Sequence, residues 1–550
     1  MNVSFSVMFG LPGQGMLLHL DALSLFFGVL LLPQIVAAIL AGMQRSAGFW
    51  AFVVGLALTL LAASPFALIF GSGLMGLASW CLAVREGAEK HRLYAGFICF
   101  SLACLIPALS LPASSPAFVL MVLAVGAMAG LVPFYSWVPR VYAVLPAAMS
   151  GLMSGGAVNI ALYILTRYVF VTALHAQHPW WGVVLMLLGV VSVLGGALRA
   201  AIEVDLRDVL SWSTIAATGL SVVGIGMALW AQTHGYWALS GLALQAVLLG
   251  CLAHGLFKPL LFIGAGEVRQ AVGTTSLNWL GGLMRGMPRL GALMLLGAAG
   301  MAALPLGPAF APMFLLVHAV VATALQGGFV VRLACAGLLI ALGGGTGLLL
   351  LAAVKAIGLG FLGRPRSLHA AAAEDARRGA FLGMALLGAL CIPVALVPGL
   401  ILRFCAPVIN GLMPQAQTVG LAYTPLTLCL LAGLALVVAG FVQMRMGVRG
   451  MREAPAWNGG FGRPPAWLPF GDPQTQPSAS GFAESILLVC GRWVLTDPAN
   501  RFLLSPLVCF YARTIRLAGR INRLTPRLWL AILFVALMLA CLVFLLAQGE

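Results

Sequence analysis

Residues 250–262 read GCLAHGLFKPLLF, an apolar segment that contains a histidine and a lysine. His254 and Lys258 are four residues apart, so an α-helix places both side chains on one face, one turn from each other. A charged side chain inside a membrane helix costs ~2.5–3.5 kcal/mol on insertion scales, and such groups persist where a partner, water or a function compensates. The segment therefore predicts a membrane helix with two titratable groups suited to proton handling.

The rest of the chain is similarly apolar. Of its 550 residues, 62% are hydrophobic and 8% are charged, with a mean hydropathy of +1.05, which leaves no room for a large water-soluble domain. We find no strand alternation, and helices satisfy their own backbone inside lipid. Because a span needs ~20 residues and two of the longer runs have room for two helices, we expect an all-α polytopic membrane protein with roughly 13 to 15 transmembrane helices. The apolar runs lie near 18–42, 48–63, 66–84, 93–112, 116–138, 147–170, 180–199, 208–231, 237–265, 289–325, 329–361, 380–404, 419–443 and 526–547.

The composition divides the chain into four parts. Residues 1–443 form one apolar transmembrane domain, and 444–481 have the proline and glycine content of a linker. Residues 482–525 predict an amphipathic basic helical segment, and 526–547 predict a C-terminal transmembrane anchor. The basic face of the third part could lie on anionic headgroups or dock on a partner. Its arginines are spaced at i, i+3, i+7 and i+10: Arg513, Arg516, Arg520 and Arg523.

Charge and cysteine usage exclude several classes of protein. The net charge of +16 is spread over loops, where arginines set topology, so nucleic-acid binding is not expected. The 11 cysteines include no C-x-x-C pair, and they form no metal spacing with the eight histidines, so we expect no metal and no cofactor in this chain. The N-terminus lacks the pattern of a removable signal peptide. The first span is expected to target the chain to the membrane.

Glycine and proline clusters predict helix interruptions at three places. These are Gly155 with Gly156, residues 304–308 (LPLGP) and residues 343–347 (GGGTG). Unwound backbone at membrane depth lines a cavity or is buried in protein, so paired breaks indicate an ion path or its remnant. Close helix packing through glycine explains the first and third clusters equally well.

Four segments, taken together, resemble one family. They are residues 126–140 (GAMAGLVPFYSWVPR), 205–213 (DLRDVLSWS), 254–266 (HGLFKPLLFIGAG) and 354–367 (VKAIGLGFLGRPRS). In this order they resemble the antiporter-like proton channel subunits of complex I and of cation/proton antiporters. The last segment and the proline-rich tail narrow the resemblance to the membrane subunit of formate hydrogenlyase and hydrogenase 4, component B. Residues 20–24 resemble a segment that this family carries after two earlier helices, so by this resemblance the chain begins late.

The resemblance implies an antiporter-like helical bundle that moves protons along a row of buried ionisable side chains. Most of that row is missing here. Glycine and methionine bind no proton, and a tyrosine with an unperturbed pKa near ~10 is a poor relay at neutral pH. The family positions that have lost their ionisable residue are Gly73 and Met313 (glutamate), Met128 and Asn159 (lysine), and Tyr135 and Tyr142 (histidine).

The remaining candidates for a proton path are His254, Lys258 and Lys355. An alternative is that His254 bonds a neighbouring carbonyl while Lys258 points to a residual hydrated pocket. For Lys355 the alternative is a side chain that snorkels towards water.

A cluster of two aspartates and one arginine supplies only weaker candidates. Asp205, Arg207 and Asp208 lie at the entrance to a span, where a loop ion pair is favoured over a relay. Asp21 begins the first span and is interpreted as a helix N-terminal charge.

Three functions are compatible with these residues. The leading hypothesis is an antiporter-like membrane subunit of a hydrogenase or NADH:quinone oxidoreductase type complex, anchoring the redox arm, with a degenerate proton path and no catalytic residues of its own. The alternatives are an autonomous secondary ion transporter and a non-pumping structural scaffold. The expected partners are other membrane and peripheral subunits and the lipid bilayer, and the expected location is the cell inner membrane.

Overall fold

The computed structural model describes residues 3–11, 14–87, 91–415, 425–445 and 476–491. These residues belong to one compact unit. The predicted basic segment beyond residue 491, with Arg513, Arg516, Arg520 and Arg523, and the anchor 526–547 lie outside the described residues. The helices are α1 Ala22–Leu40, α2 Ala47–Leu61, α3 Pro65–Arg85, α4 His91–Ser110, α5 Ser115–Ala129, α6 Trp137–Tyr142, α7 Ala147–Leu152, α8 Val158–Arg167, α9 Pro179–Ile202, α10 Leu206–Thr233, α11 Trp237–Val272, α12 Leu283–Gly286, α13 Pro288–Met301, α14 Phe310–Gln326, α15 Phe329–Gly360, α16 Leu368–Ala371, α17 Arg378–Leu396, α18 Pro398–Leu412, α19 Pro425–Arg445 and α20 Ala479–Cys490.

The predicted helical membrane fold is confirmed. In the described part of the chain, nine helical segments are long and apolar enough to cross a membrane. Seven shorter apolar helices are candidates for the remaining spans of the 13 to 15 that we expect. Residues 148–166 are all buried, whereas the most apolar part of α15 is only one-third buried, so one helix forms the core and the other lies at the periphery.

An N-terminal hairpin departs from the all-helical prediction. Strand β1, Val3–Leu11, pairs antiparallel with strand β2, Gln14–Leu20, from Val3 opposite Leu20 to Leu11 opposite Gln14. The expectation that strand alternation is absent, with a first apolar run from residue 18, was therefore wrong at this end of the chain. The sequence VSFSVMF does alternate, and pairing two short strands gives part of their backbone groups hydrogen-bond partners without a helix.

The three predicted helix interruptions have different outcomes. The break at 304–308 is confirmed, because α13 ends at Met301 and α14 begins at Phe310. Ala303 and Leu306 have positive φ angles of 47° and 69° there, which leaves the backbone unable to continue a right-handed helix. The break at 343–347 was wrong, since these residues lie inside the continuous helix α15. Inside lipid, an unsatisfied backbone group costs more free energy than a glycine costs in a helix, so the helix continues through the cluster.

The first glycine pair lies in a widened helical turn. Gly155 and Gly156 belong to the π-helix Met153–Ala157, which joins α7 to α8 without an end. A Cβ on Gly155 would lie 2.8 Å from the Pro259 side chain of α11. Close helix packing therefore explains the glycine at this position. A further break separates α5 from α6 at residues 130–136, which gives the domain two discontinuous helices.

Helices α9 and α10 pack with their backbones almost in contact. Glycines at seven-residue intervals on α9, Gly182 and Gly189, face Gly226 and Gly219 on α10. A Cβ on any of these would come within 2.7 Å of a backbone oxygen of the facing helix. Such close approach is how helices associate in lipid, where there is no hydrophobic driving force between them. This pair forms a rigid wall beside α11.

Candidate functional site

Helix α11 carries Lys258 into the centre of the domain. The side chain is completely buried, and its Nζ donates hydrogen bonds to the Leu210 carbonyl at 2.9 Å and to Ser213 Oγ at 2.5 Å. Both acceptors lie within one turn of the neighbouring helix α10. An uncompensated ammonium is costly at this depth, and these two contacts satisfy part of its hydrogen-bonding capacity.

His254 lies one turn before Lys258 and is 6% exposed. Its ring packs edge-on against Phe257, with ring centroids 5.7 Å apart. Its Nε2 is buried and has no hydrogen-bond partner among the described residues. The alternative in which His254 bonds a neighbouring carbonyl is therefore not seen for this atom. A buried, unpaired ring nitrogen is costly unless water reaches it.

A cavity of about 80 Å³ adjoins both side chains. A buried water needs ~10–15 Å³ of such volume, so there is room for a short file of water molecules. Hydroxyl groups of Ser213, Ser221 and Thr346 are the neutral polar side chains in its wall. The broken helix forms the opposite wall through Met301, Ala303 and residues of α14. The structure thus brings together the predicted titratable pair and the predicted break.

Two of the positions where the resemblance implies a lost ionisable residue line cavities. Met313 borders the cavity beside Lys258, and its Sδ lies 3.9 Å from Thr346 Oγ1. Met128 borders a separate cavity of about 40 Å³, together with hydroxyls such as Ser101. Gly73 lies next to this second cavity in sequence, and a Cβ there would meet only Leu102 at 3.7 Å. Neither thioether can hold a proton.

The other three substituted positions are packed into the core. Tyr142 is fully buried, and its hydroxyl has no partner in the described part of the chain. Tyr135 packs against Trp212 with ring centroids 5.1 Å apart. Asn159 is fully buried and donates through Nδ2 to the carbonyls of Gly155 and Cys251. Asn159 therefore ties the π-helix to α11, a neutral structural contact in place of a charge.

Lys355 is not part of this site. It is completely buried, so the expectation that it snorkels was wrong. Its Nζ donates to the carbonyls of Ala201 and Glu203, just at and beyond the end of α9. The last carbonyls of a helix lack partners within the helix and carry partial negative charge. An ammonium there caps the helix, which explains its burial without any proton transfer.

This contact gives the first prediction. Replacing Lys355 by methionine leaves two carbonyls without their donor, and we expect the free energy of unfolding to fall by about 1–3 kcal/mol. Proton flux per folded molecule is expected to stay unchanged, because Lys355 does not line the cavity. Unfolding in detergent and flux in vesicles measure the two effects. Lost flux with unaltered stability would contradict the capping role.

Asp205, Arg207 and Asp208 do not form the expected loop ion pair. Asp205 caps α10 and accepts from the backbone N–H of Arg207 and from Thr275 Oγ1. Arg207 is only 3% exposed, and its guanidinium turns inward. It donates to the carbonyls of Ala143 and Leu145 and to a serine hydroxyl. The carbonyls at and just after the end of α6 lack partners within the helix, and the guanidinium supplies their donors.

Charged residues surround an open cleft on this side of the domain. Two neighbouring openings of about 460 and 310 Å³ share Arg207 and Arg269 in their walls, and Asp208 lines the smaller one. Glu267, 5% exposed, accepts hydrogen bonds from Arg377 in the larger opening, and this raises the pKa of Arg377. Sequence reasoning missed Glu267 because the apolar run ended at 265. The helical period continues to Val272 and could have revealed it.

Asp21 caps the first long helix. It forms a capping box with Ser24 and an ion pair with Arg167 at 2.7 Å. Burial raises the pKa of Asp21, but hydrogen bonds from Ser24 and the charge of Arg167 outweigh it and leave the pKa below its ordinary value. A carboxylate held in this way is a helix N-terminal charge, in agreement with the interpretation of the sequence.

Comparison with known proteins supports the resemblance. Residues 17–339 match the family model described as NADH:quinone oxidoreductase/Mrp antiporter, TM. Hydrogenase-4 component B of Escherichia coli K12 is 27% identical, over 84% of this chain and 76% of its own length. An uncharacterized protein of Mycobacterium tuberculosis is 34% identical over 55% of this chain. The match spans about half the length (47%) of the mycobacterial protein.

The fold is similar to that of solved membrane complexes. One chain of the membrane-bound sulfane sulfur reductase, an archaeal respiratory membrane complex, superposes with a TM-score of 0.76 at 17% identity. The superposition covers 99% of this chain and 91% of the other. At this identity the similarity concerns the arrangement of helices alone.

Proposed function

The chain belongs to the NADH:quinone oxidoreductase/Mrp antiporter family of transmembrane proteins, and we propose that it is an antiporter-like membrane subunit of a hydrogenase or quinone oxidoreductase type complex. In this role it anchors a redox arm in the bacterial inner membrane. The metal and redox chemistry resides in partner subunits. This chain retains a reduced proton path built on His254 and Lys258.

The observation that carries the proton path is the cavity shared by His254 and Lys258. Lys258 Nζ is held at its wall by the Leu210 carbonyl and Ser213 Oγ, within reach of a water file. A lysine can give up a proton where an arginine cannot, and a neutral imidazole can accept one. The unpaired Nε2 of His254 provides a second proton-binding atom at the same cavity.

We propose that hydroxyl groups of α10 extend the path from the cavity towards the charged cleft. Lys258 Nζ donates to Ser213 Oγ, and the neighbouring Thr214 shares a hydrogen bond of 2.7 Å with Ser154. Arg207 lies about 10 Å earlier along the same helix and lines the open cleft. Hydroxyl groups donate and accept, so they extend a water file without binding an ion themselves. Protons would enter or leave Lys258 by this route.

The rest of the row of ionisable side chains, which the resemblance implies for proton movement, is interrupted in this chain. Met128 and Met313 occupy cavity walls where relatives are expected to have ionisable groups. A path with one lysine and one histidine stores fewer protons than a full row. Coupling to electron transfer is therefore expected to be weaker than in a complete pump, with at most the Lys258 step retained.

The alternatives differ in testable ways. A scaffold subunit has the same partners but a cavity that conducts nothing. An autonomous transporter needs no partners and would use the broken helix at 304–308 as its site, since the second expected break, at 343–347, is part of continuous helix α15. The cavity beside that break is lined by no carboxylate, which argues against cation transport at this place.

Affinity purification of the tagged chain from native membranes tests assembly and function together. We expect stoichiometric hydrogenase-like or quinone-oxidoreductase-like subunits to copurify, and the reconstituted sample to show proton flux that depends on Lys258. The same partners without flux would make the chain a scaffold. Flux from the chain with no partner subunit would establish an autonomous transporter instead.

A further inference from the structure

Helix α14 carries a histidine that takes no part in the Lys258 cavity. His318 lies eight residues from Phe310 and eight from Gln326, the two ends of the helix. At 1.5 Å per residue, it is about 12 Å along the helix from either end. The imidazole is on a short side chain, so it cannot reach water from there as a lysine or arginine can.

The surface around His318 is apolar and faces outward. The imidazole is partly exposed, and on the same helix face Val321 is 39% and Leu325 is 76% exposed. Both lie further towards the helix end, so the apolar surface continues beyond His318. The ring meets Phe314 edge-on, with centroids 6.2 Å apart, and has no hydrogen-bond partner among the described residues.

A partly exposed imidazole on an apolar membrane surface lacks compensation from the described residues. Ionisable side chains in membrane helices nearly always face a partner, a water-filled space or another polar group. Lipid chains offer no acceptor for the ring N–H, whereas a carboxylate on a facing helix would satisfy the imidazole by hydrogen bonding and by charge.

We infer that the face of α14 formed by His318, Val321 and Leu325 docks a transmembrane helix of another membrane subunit, and that this helix presents a carboxylate to the His318 ring. The inference rests on the proposed assembly with partner subunits and is independent of proton conduction. The apolar residues supply contact area, and the single polar pair fixes the register of the two helices.

Site-specific photocross-linking of the full chain in native membranes tests this contact. A benzophenone amino acid at Val321 is expected to form an adduct with a stoichiometric membrane subunit. The adduct peptide is expected to lie in a transmembrane helix with an Asp or Glu within one turn. His318→Leu should lower the yield by about three- to tenfold, as expected for an interhelical hydrogen bond. His318→Gln, which keeps a donor, should retain most of it.

The controls separate this inference from the proposed function. Replacing the partner's carboxylate residue by leucine should lower the yield as His318→Leu does, with no further loss in the double variant. Adducts with lipid alone, or with a second copy or another segment of this chain, would overturn the inference while the copurifying subunits remain. If no membrane subunit copurifies with the unaltered chain, the proposed function fails as well.

Discussion

Replacing Lys258 by methionine is expected to reduce proton flux through the purified assembly to background, a loss of about a hundredfold or more. The physical reason is that methionine fills similar space but has no titratable nitrogen at the cavity. The variant should still fold. The two groups that Lys258 contacts keep other partners, because Ser213 Oγ and Thr214 Oγ1 both donate to the Leu210 carbonyl. Proton flux in vesicles, driven by a pH gradient, measures the effect.

Two further variants sharpen the Lys258 test. Lys258→Arg keeps the charge but cannot release its proton near neutral pH, so flux should also be lost if titration matters. Met128→Leu, at the separate cavity, conserves volume and should leave flux unchanged. Unaltered flux in Lys258→Met would remove the proton path from the proposed function and leave a scaffold.

Replacing Gly189 by valine is expected to cause a large loss of stability, about 3 kcal/mol in the free energy of unfolding. A Cβ at this position would lie 2.7 Å from the Gly219 carbonyl oxygen and 2.8 Å from the Val223 backbone nitrogen. Backbone atoms cannot rotate away, so α9 and α10 would have to separate. Thermal unfolding in detergent and the yield of folded protein report the change.

Gly343→Val on α15 is the matched control for this substitution. A Cβ on Gly343 meets nothing within 4 Å, and the residue is exposed. Valine is a slightly better helix former than glycine, so stability should remain within about 0.5 kcal/mol of the original. Equal losses in the two variants would show that helix propensity, and not the close contact of α9 with α10, governs the effect.

Lys258 and Lys355 are both buried, but their surroundings give them different proposed roles. At the positions where the resemblance implies a lost ionisable residue, the neutral side chain avoids the desolvation cost of a charge. Asn159 illustrates the result, because its amide joins two helices through neutral hydrogen bonds. Lys258 keeps that cost and adjoins a cavity with room for several water molecules, whereas the ammonium of Lys355 caps a helix.

The sequence by itself determined the class of fold and the central pair of titratable residues. Inside lipid, a single chain segment can satisfy its own backbone hydrogen bonds only as an α-helix. The four-residue spacing then puts His254 and Lys258 on the same face of that helix. The break at 304–308 was also predictable, since its two prolines provide no backbone donors. These features depend on interactions between residues close together in the chain.

Only the tertiary structure decided the roles of groups whose partners are distant in sequence. Lys355 contacts carbonyls more than 150 positions earlier, and Arg207 contacts carbonyls about 60 positions earlier. The local sequence pattern therefore predicted the wrong contacts for both side chains. Glycines illustrate the same limit. Gly343 belongs to a glycine cluster and Gly189 lies singly among apolar residues, yet the clustered glycine faces open space and the single one a facing backbone. Packing between helices fixes these distances, and packing is not encoded in any single segment.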